Sequence, residues 1–211
     1  MRSSFLVGLL LSGVAACGGD DDGAGAVDAP ATTDAASSDG GDTDAAIDGS
    51  TDGPSAVLAL TSTAITEGGV IPDMYSCQGT NVSPPLAWTG GPAAAGYAVV
   101  LTDTSNMLVH SIIWDIPAAT TSLPENVMKV YMPPVPAGAR QPLAYDNQTR
   151  GYLGPCPSSM HTYQFALYAV DANPLPGVGV TLGMGSTRNV VLQAILAHDT
   201  ATATLTATFT P

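Results

Sequence analysis

The chain has 211 residues, with 18 acidic side chains against 5 Lys and Arg, a net charge of −13 and a sequence pI near 4.1. This balance argues against a nucleic-acid partner, whose phosphates are held by clustered Lys and Arg. Ten of the 18 acids precede residue 56, so the acidity belongs mostly to the first quarter of the chain and says little about a ligand of the remainder.

Residues 1–17 read as an address rather than a fold. Arg2 supplies a positive charge, and Phe5 to Leu11 is an apolar stretch too short to span a bilayer as a helix. Val14-Ala15-Ala16 then sets small residues directly before Cys17. The arrangement resembles a bacterial lipobox, in which the signal is cut before a Cys that carries lipid. Residues 1–17 are therefore expected to be a lipoprotein signal, with Cys17 as the lipidation site; the alternative is an ordinary secretory signal with a chance Cys. Lipid anchors a protein without spanning, each buried methylene contributing about 0.8 kcal/mol. The expected location is the cell envelope, at the outer membrane or facing the periplasm. Residues 18–55 contain Asp, Ala, Gly, Ser and Thr, no aromatic residue and hardly a large aliphatic. Such a segment cannot offset its chain entropy by burial and is expected to be a disordered acidic tether. Residues 56–211 are long enough for one domain with a core of its own.

Within that domain, Ala56 to Thr61 reads as a short strand, Glu67-Gly68-Gly69 as a turn, and Tyr75 to Asn81 as a polar loop. Ser83 to Trp88 must be extended, because Pro84 and Pro85 bar helix for their predecessors. Tyr97 to Thr102 and Val109 to Trp114 are Val- and Ile-rich core strands joined by a loop from Asp103 to Asn106. Pro117 and Pro124 bracket another loop, Val127 to Met132 fits a short strand, and Gln141 to Ser159 reads as a long irregular loop. Thr162 to Val170 alternates as a strand. Thr187 to His198 is the one convincing helix: Ser186 or Thr187 can cap it, and Val191, Leu192, Ile195 and Leu196 form an apolar stripe. Ala201 to Phe209 closes the chain as a period-two strand, Thr on one face and Ala, Leu and Phe on the other. Many strands with Pro and Gly turns and one late helix point to a mostly β, antiparallel sandwich.

Chemistry concentrates where the two central strands meet their loop. Asp103 and His110 stand at adjacent strand ends, where a carboxylate and an imidazole can converge on one small pocket. The bland alternative is that Asp103 caps a turn and His110 is a satisfied core histidine. No Gly-x-Ser-x-Gly elbow, phosphate-binding P-loop or dinucleotide fingerprint is present, and His110, His161 and His198 are too scattered for a metal motif. Ser158 and Ser159 near His161 make only a weak case for a nucleophile. The expectation is a non-catalytic protein without metal or cofactor.

From Thr61 onward the chain resembles the phosphatidylethanolamine-binding protein family in its bacterial Raf-kinase-inhibitor-like branch. The matching pieces include Tyr75-Ser76-Cys77-Gln78-Gly79-Thr80-Asn81-Val82-Ser83-Pro84-Pro85-Leu86-Ala87-Trp88, Leu101-Thr102-Asp103 and Val109-His110. They continue with Arg150-Gly151-Tyr152, Gly154-Pro155-Cys156-Pro157 and His161-Thr162-Tyr163-Gln164-Phe165. No single piece is specific; their order and spacing are. The resemblance implies two antiparallel sheets packed as a sandwich, with helix near the C-terminus and a small anion pocket that takes phosphate-type head groups. It places Asp103, His110, Gly151, Gly154, Pro155, His161 and Tyr163 at that pocket. The glycine-rich loop would turn backbone N–H groups toward the anion, and Asp103 would orient His110 and raise its pKa. Where the family has Asp-Pro-Asp-Ala-Pro, this chain has Asp103-Thr104-Ser105-Asn106-Met107, so the second acid and both prolines are missing and the rim is rebuilt.

The resemblance also sets Cys77 and Cys156 near the pocket end. Outside the cytoplasm they are expected to form a disulfide, with two free thiols as the alternative. Partners implied are a small anionic ligand or phosphorylated head group, a protein partner, a second copy of the chain in a homodimer, and the membrane through the lipid anchor alone. The competing functional readings are an interaction or protease-inhibitor module using the loop 133–159, and, least favoured, a hydrolase using His110 or His161.

Overall fold

The computed structural model describes residues 56–211; the signal expected over 1–17, with Cys17, and the tether expected over 18–55 lie outside the described residues. Five strands build the larger sheet: β2 (Gly69–Val70), β4 (Gly96–Asp103), β5 (Leu108–Pro117), β7 (His161–Val170) and β8 (Asp199–Phe209), in the order β2-β8-β7-β4-β5. The smaller sheet has β1 (Ala59–Thr61), β3 (Leu86–Thr89) and β6 (Ser122–Leu123), in the order β1-β3-β6. Every pairing is antiparallel except that of β2 with β8, which is parallel. Helix α1 spans Arg188–His198, and the Thr187 side chain caps it by accepting the Val190 N–H.

The alternation read in the strands sorts residues onto two faces. Val99, Leu101, Ile113, Phe165, Leu167 and Leu205 of the larger sheet pack against Leu60, Leu86, Trp88 and Leu123 of the smaller one. Ala98, Val100, Ile112 and Trp114 face the other way and cover Val191, Ala194 and Ile195 of α1. The larger sheet is therefore buried on both faces, which explains why β4 and β5 read as near-continuous apolar runs. Burial of both faces is the main stabilising term of the fold, at about 25 cal/mol per Å² of apolar surface removed from water.

Val127 to Met132 is not the strand its pattern suggests. The Gln141 side chain takes the place of a partner strand, its amide nitrogen donating to the carbonyls of Met128 (2.7 Å) and Val130 (2.9 Å). The Met128, Val130 and Met132 side chains are left exposed.

Two irregularities in β5 prepare the site. Leu101 pairs with Ser111 and Thr102 with Val109, so His110 is the extra residue of a bulge. A bulge re-aims a side chain, and here the His110 ring lies edge-on to Tyr163, 5.3 Å between centroids. At the second irregularity, Asp115 has φ +55 and is buried, its carboxylate accepting the Leu175 N–H at 2.7 Å and pairing with Arg140 at 2.9 Å. That acid ties three chain segments together and belongs to the scaffold.

Candidate functional site

Asp103 ends β4, and the sheet register sets it directly opposite Tyr163 of β7. It is 2 % exposed. One of its oxygens accepts the Ser105 N–H at 2.9 Å, which closes the turn to β5, so the capping role open in the sequence is realised. The other oxygen lies 2.6 Å from His161 Nδ1, and Tyr163, paired with Asp103 across the sheet, stands beside the carboxylate. Two donors thus converge on one buried acid, spreading its charge over charge-assisted bonds. The Tyr163 hydroxyl is held firmly protonated, its pKa raised first by burial and then by the neighbouring carboxylate.

The expectation that Asp103 orients and charges His110 is overturned. Asp103 pairs with His161, the imidazole two positions before its cross-strand neighbour, because both face the sandwich interior at the end of β7. His110, 3 % exposed, turns its Nδ1 to the Leu153 carbonyl at 3.1 Å. Its pKa is lowered, not raised: burial outweighs the carbonyls of Leu153 and Gly154 and the more distant charge of Asp103. The neutral ring donates from Nδ1 and presents a lone pair at Nε2.

The glycine-rich loop shapes the site, but the N–H groups of its two glycines are engaged within the protein. The Gly151 N–H donates to the Pro142 carbonyl at 3.0 Å, and the Gly154 N–H to the Asn81 side chain at 2.8 Å. Pro155 has no N–H, and its carbonyl accepts the Cys77 N–H at 2.9 Å. Gly151 is required by conformation, φ +77, and by the Gln141 amide packed where a Cβ would stand. Gly154 is required by the Tyr75 carbonyl in the same sense. Cys77 and Cys156 form a disulfide, Cα to Cα 5.3 Å, which joins the loop around residue 77 to the segment beneath His110.

Two residues that the sequence reading passed over complete the cluster. Tyr145 donates its N–H to the His110 carbonyl at 3.0 Å, and its ring lies 4.4 Å from the His110 ring. Arg188, at the start of α1, donates to the carbonyls of Leu143 and Ala144 just before Tyr145. Neither carried a signal: Tyr145 falls in an aperiodic loop, and Arg188 reads as a helix surface residue. Part-exposed His161, its Nδ1 on Asp103, keeps its other ring nitrogen for hydrogen bonding to a small polar guest. No hydroxyl or thiol nucleophile is bonded to either imidazole among the described residues. Likewise, no group of three His, Cys, Asp or Glu side chains among the described residues could hold a metal ion. An apolar cavity of about 40 Å³ lies deeper, between the sheets, lined by Leu86, Val99, Leu101, Ser111 and Phe165, and does not touch Asp103, His110 or His161.

Residues 61–210 match the family model described as phosphatidylethanolamine-binding protein. A UPF0098 protein of Methanothermobacter thermautotrophicus is 36% identical over 146 residues, spanning 67% of this chain and 91% of that one. A Mycobacterium tuberculosis protein named as a lipoprotein, LppC, is 32% identical over 171 residues, 77% of this chain and 78% of that one. Two solved structures are similar, each over 74% of this chain and 99% of the other. They are the phosphatidylethanolamine-binding protein homologue CT736 of Chlamydia trachomatis (TM-score 0.61, 29% identity) and YbcL of Escherichia coli (TM-score 0.63, 26% identity).

Proposed function

This chain belongs to the phosphatidylethanolamine-binding protein family, and from that premise we propose that it is a non-catalytic, lipid-anchored binding protein for a small phosphate-type anion. The observation that carries the reading is the cluster itself: His161 seated on buried Asp103 at 2.6 Å, with His110 and Tyr163 beside it at the same strand ends. His161 is part-exposed, so Nε2, the nitrogen not bonded to Asp103, is the natural first contact for an anion. Neutral His110 presents a lone pair, so it takes up a proton when a phosphate oxygen arrives, or accepts from a phosphate hydroxyl. The two donors on Asp103 offset the repulsion that a bare carboxylate would exert. Gly151, Gly154 and Pro155 serve by holding Leu153 and Tyr145 in place. The anchor is Cys17, supported by the likeness to a relative named as a lipoprotein; no helix among the described residues is long and apolar enough to cross a membrane.

Inorganic phosphate and phosphoethanolamine titrated against the histidine NMR signals test the reading. Saturable shifts at His161 and His110 in millimolar ligand, tighter at pH 6 than at pH 8, are expected; both rings unmoved reject it. A protein-contact reading is favoured by one observation, the exposed apolar side chains Met128, Met132 and Val135 leading into the loop 133–159. Capture of a partner that survives His110→Ala but not deletion in that loop supports it instead.

A further inference from the structure

We propose that Arg188 is the positioning residue of this anion site, holding Tyr145 over His110 and supplying the charge that draws an anion in. The inference rests on the reading of the cluster as an anion site and assigns it a determinant on an element remote in sequence.

Arg188 Nη1 donates to the Leu143 carbonyl at 2.9 Å and to the Ala144 carbonyl, and reaches the Asn147 side-chain oxygen at 3.4 Å. Those acceptors flank Tyr145, whose N–H and ring both engage His110. One guanidinium thereby connects α1, the loop and the bulge of β5. Its location is otherwise unfavourable. The first residue of a helix is the positive end of the dipole, and no acidic residue stands in the first turn of α1. Among the described residues Arg188 makes no ion pair, and its buried Nε has no acceptor. The other described cations are engaged elsewhere: Arg140 on Asp115, Arg150 over the Tyr131 ring, Lys129 over the Tyr152 ring.

The field at His110 has identifiable sources. Asp103 from β4 and the Leu153 and Gly154 carbonyls favour its proton, while Arg188 from α1 disfavours it. Tyr145 and Tyr163 face it as uncharged rings, and His161 is held away on Asp103. Asp146 is the acid that feels Arg188, but its oxygens are already bonded to Thr149 and Gln148.

The test uses the full chain as parent, Arg188→Gln and Arg188→Lys, read by NMR with inorganic phosphate as the probe. Arg188→Gln is expected to weaken phosphate binding about tenfold, the loss of one partly screened charge interaction, to move the Tyr145 ring shift at His110, and to raise the His110 titration midpoint. Arg188→Lys is expected to recover most of the affinity while the ring shift stays displaced, because an ammonium restores charge but not the fork. If Arg188→Gln does not fold, Arg188→Lys alone decides through the ring shift. Phosphate affinity within about twofold of parent, with His110 unmoved in shift and midpoint, overturns the proposal. If the parent binds no phosphate, the anion reading falls; the ring shift and midpoint in phosphate-free buffer then decide the positioning role, displacement upholding it and identity with parent ending it.

Discussion

His110 and Asp103 make opposite demands on pH and on mutation. Burial holds the His110 pKa below its ordinary 6.5, so between the two values the unfolded chain binds more protons than the folded one. Stability therefore rises with pH across that window. The contribution is complete above about 6.5 and is lost as pH falls toward the folded value, with a slope of at most about 1.4 kcal/mol per pH unit for the one proton. Urea denaturation at pH 7.5 and pH 5.5 is expected to show this fall, and His110→Phe to flatten it; an unchanged slope in the variant removes His110 as the source. Given the proposed anion site, phosphate is expected to oppose this trend, because a bound anion favours the protonated ring. Asp103→Ala is a different kind of lesion. It leaves the Ser105 N–H and His161 without their acceptor, and about 2–4 kcal/mol of stability is expected to go, measured by the same denaturation. A loss under about 0.5 kcal/mol contradicts the donor convergence seen around Asp103. The types of these residues were legible in the sequence, but their pairing was not. Adjacency along the chain favours Asp103 with His110, whereas the β4–β7 register, a contact across 58 residues, delivers His161.

At the level of elements, the strands and the helix were legible because each repeats a pattern: period two in β7 and β8, an apolar run in β4 and β5, a capped stripe in α1. Val127 to Met132 shows the same signal failing, since a local pattern cannot announce that a distant glutamine will satisfy its carbonyls. The bulge at His110 was equally silent, being a mismatch of register between two strands and not a property of either. The segment from Gly151 to Cys156 shows what an aperiodic element depends on. Its Gly154 sits where a Cβ would press into the Tyr75 carbonyl and the Tyr152 hydroxyl. The Tyr152 hydroxyl is itself bonded to that carbonyl at 2.7 Å, so neither atom can yield cheaply. Gly154→Ala is expected to cost about 3 kcal/mol, the overpacking range, and to move the His110 resonances through Leu153. Gly179→Ala makes a useful contrast: its Cβ meets nothing, although its φ of +70 still strains the backbone. Its smaller penalty, about 1 kcal/mol, should leave His110 untouched. Equal effects of the two on His110 would mean that the segment does not set the ring.

For the whole molecule, the layered arrangement followed from the family likeness more than from the strand patterns, which specify faces but not which strands are neighbours. Its consequence is that the site is assembled from four separate stretches of chain, around residues 77, 103–110, 141–161 and 188. The Cys77–Cys156 disulfide, closing a separation of 79 residues, is the covalent tie between two of them. On the loop-entropy account it contributes about 4–5 kcal/mol by restricting the unfolded chain. Three hydrogen bonds duplicate the tie in the folded state: Cys77 N–H to the Pro155 carbonyl, Gly154 N–H to Asn81, and the Tyr152 hydroxyl to the Tyr75 carbonyl. The folded loop is thus held twice, whereas the unfolded chain is held once. A double Cys77→Ser, Cys156→Ser variant should lose most of that 4–5 kcal/mol in urea, while its His110 and Tyr145 resonances stay close to those of the parent. Resonances that broaden or shift with the loss would show that the disulfide, and not the hydrogen-bonded loop, maintains the site. Unchanged stability would instead show that the unfolded chain is already compact enough to make the cross-link redundant.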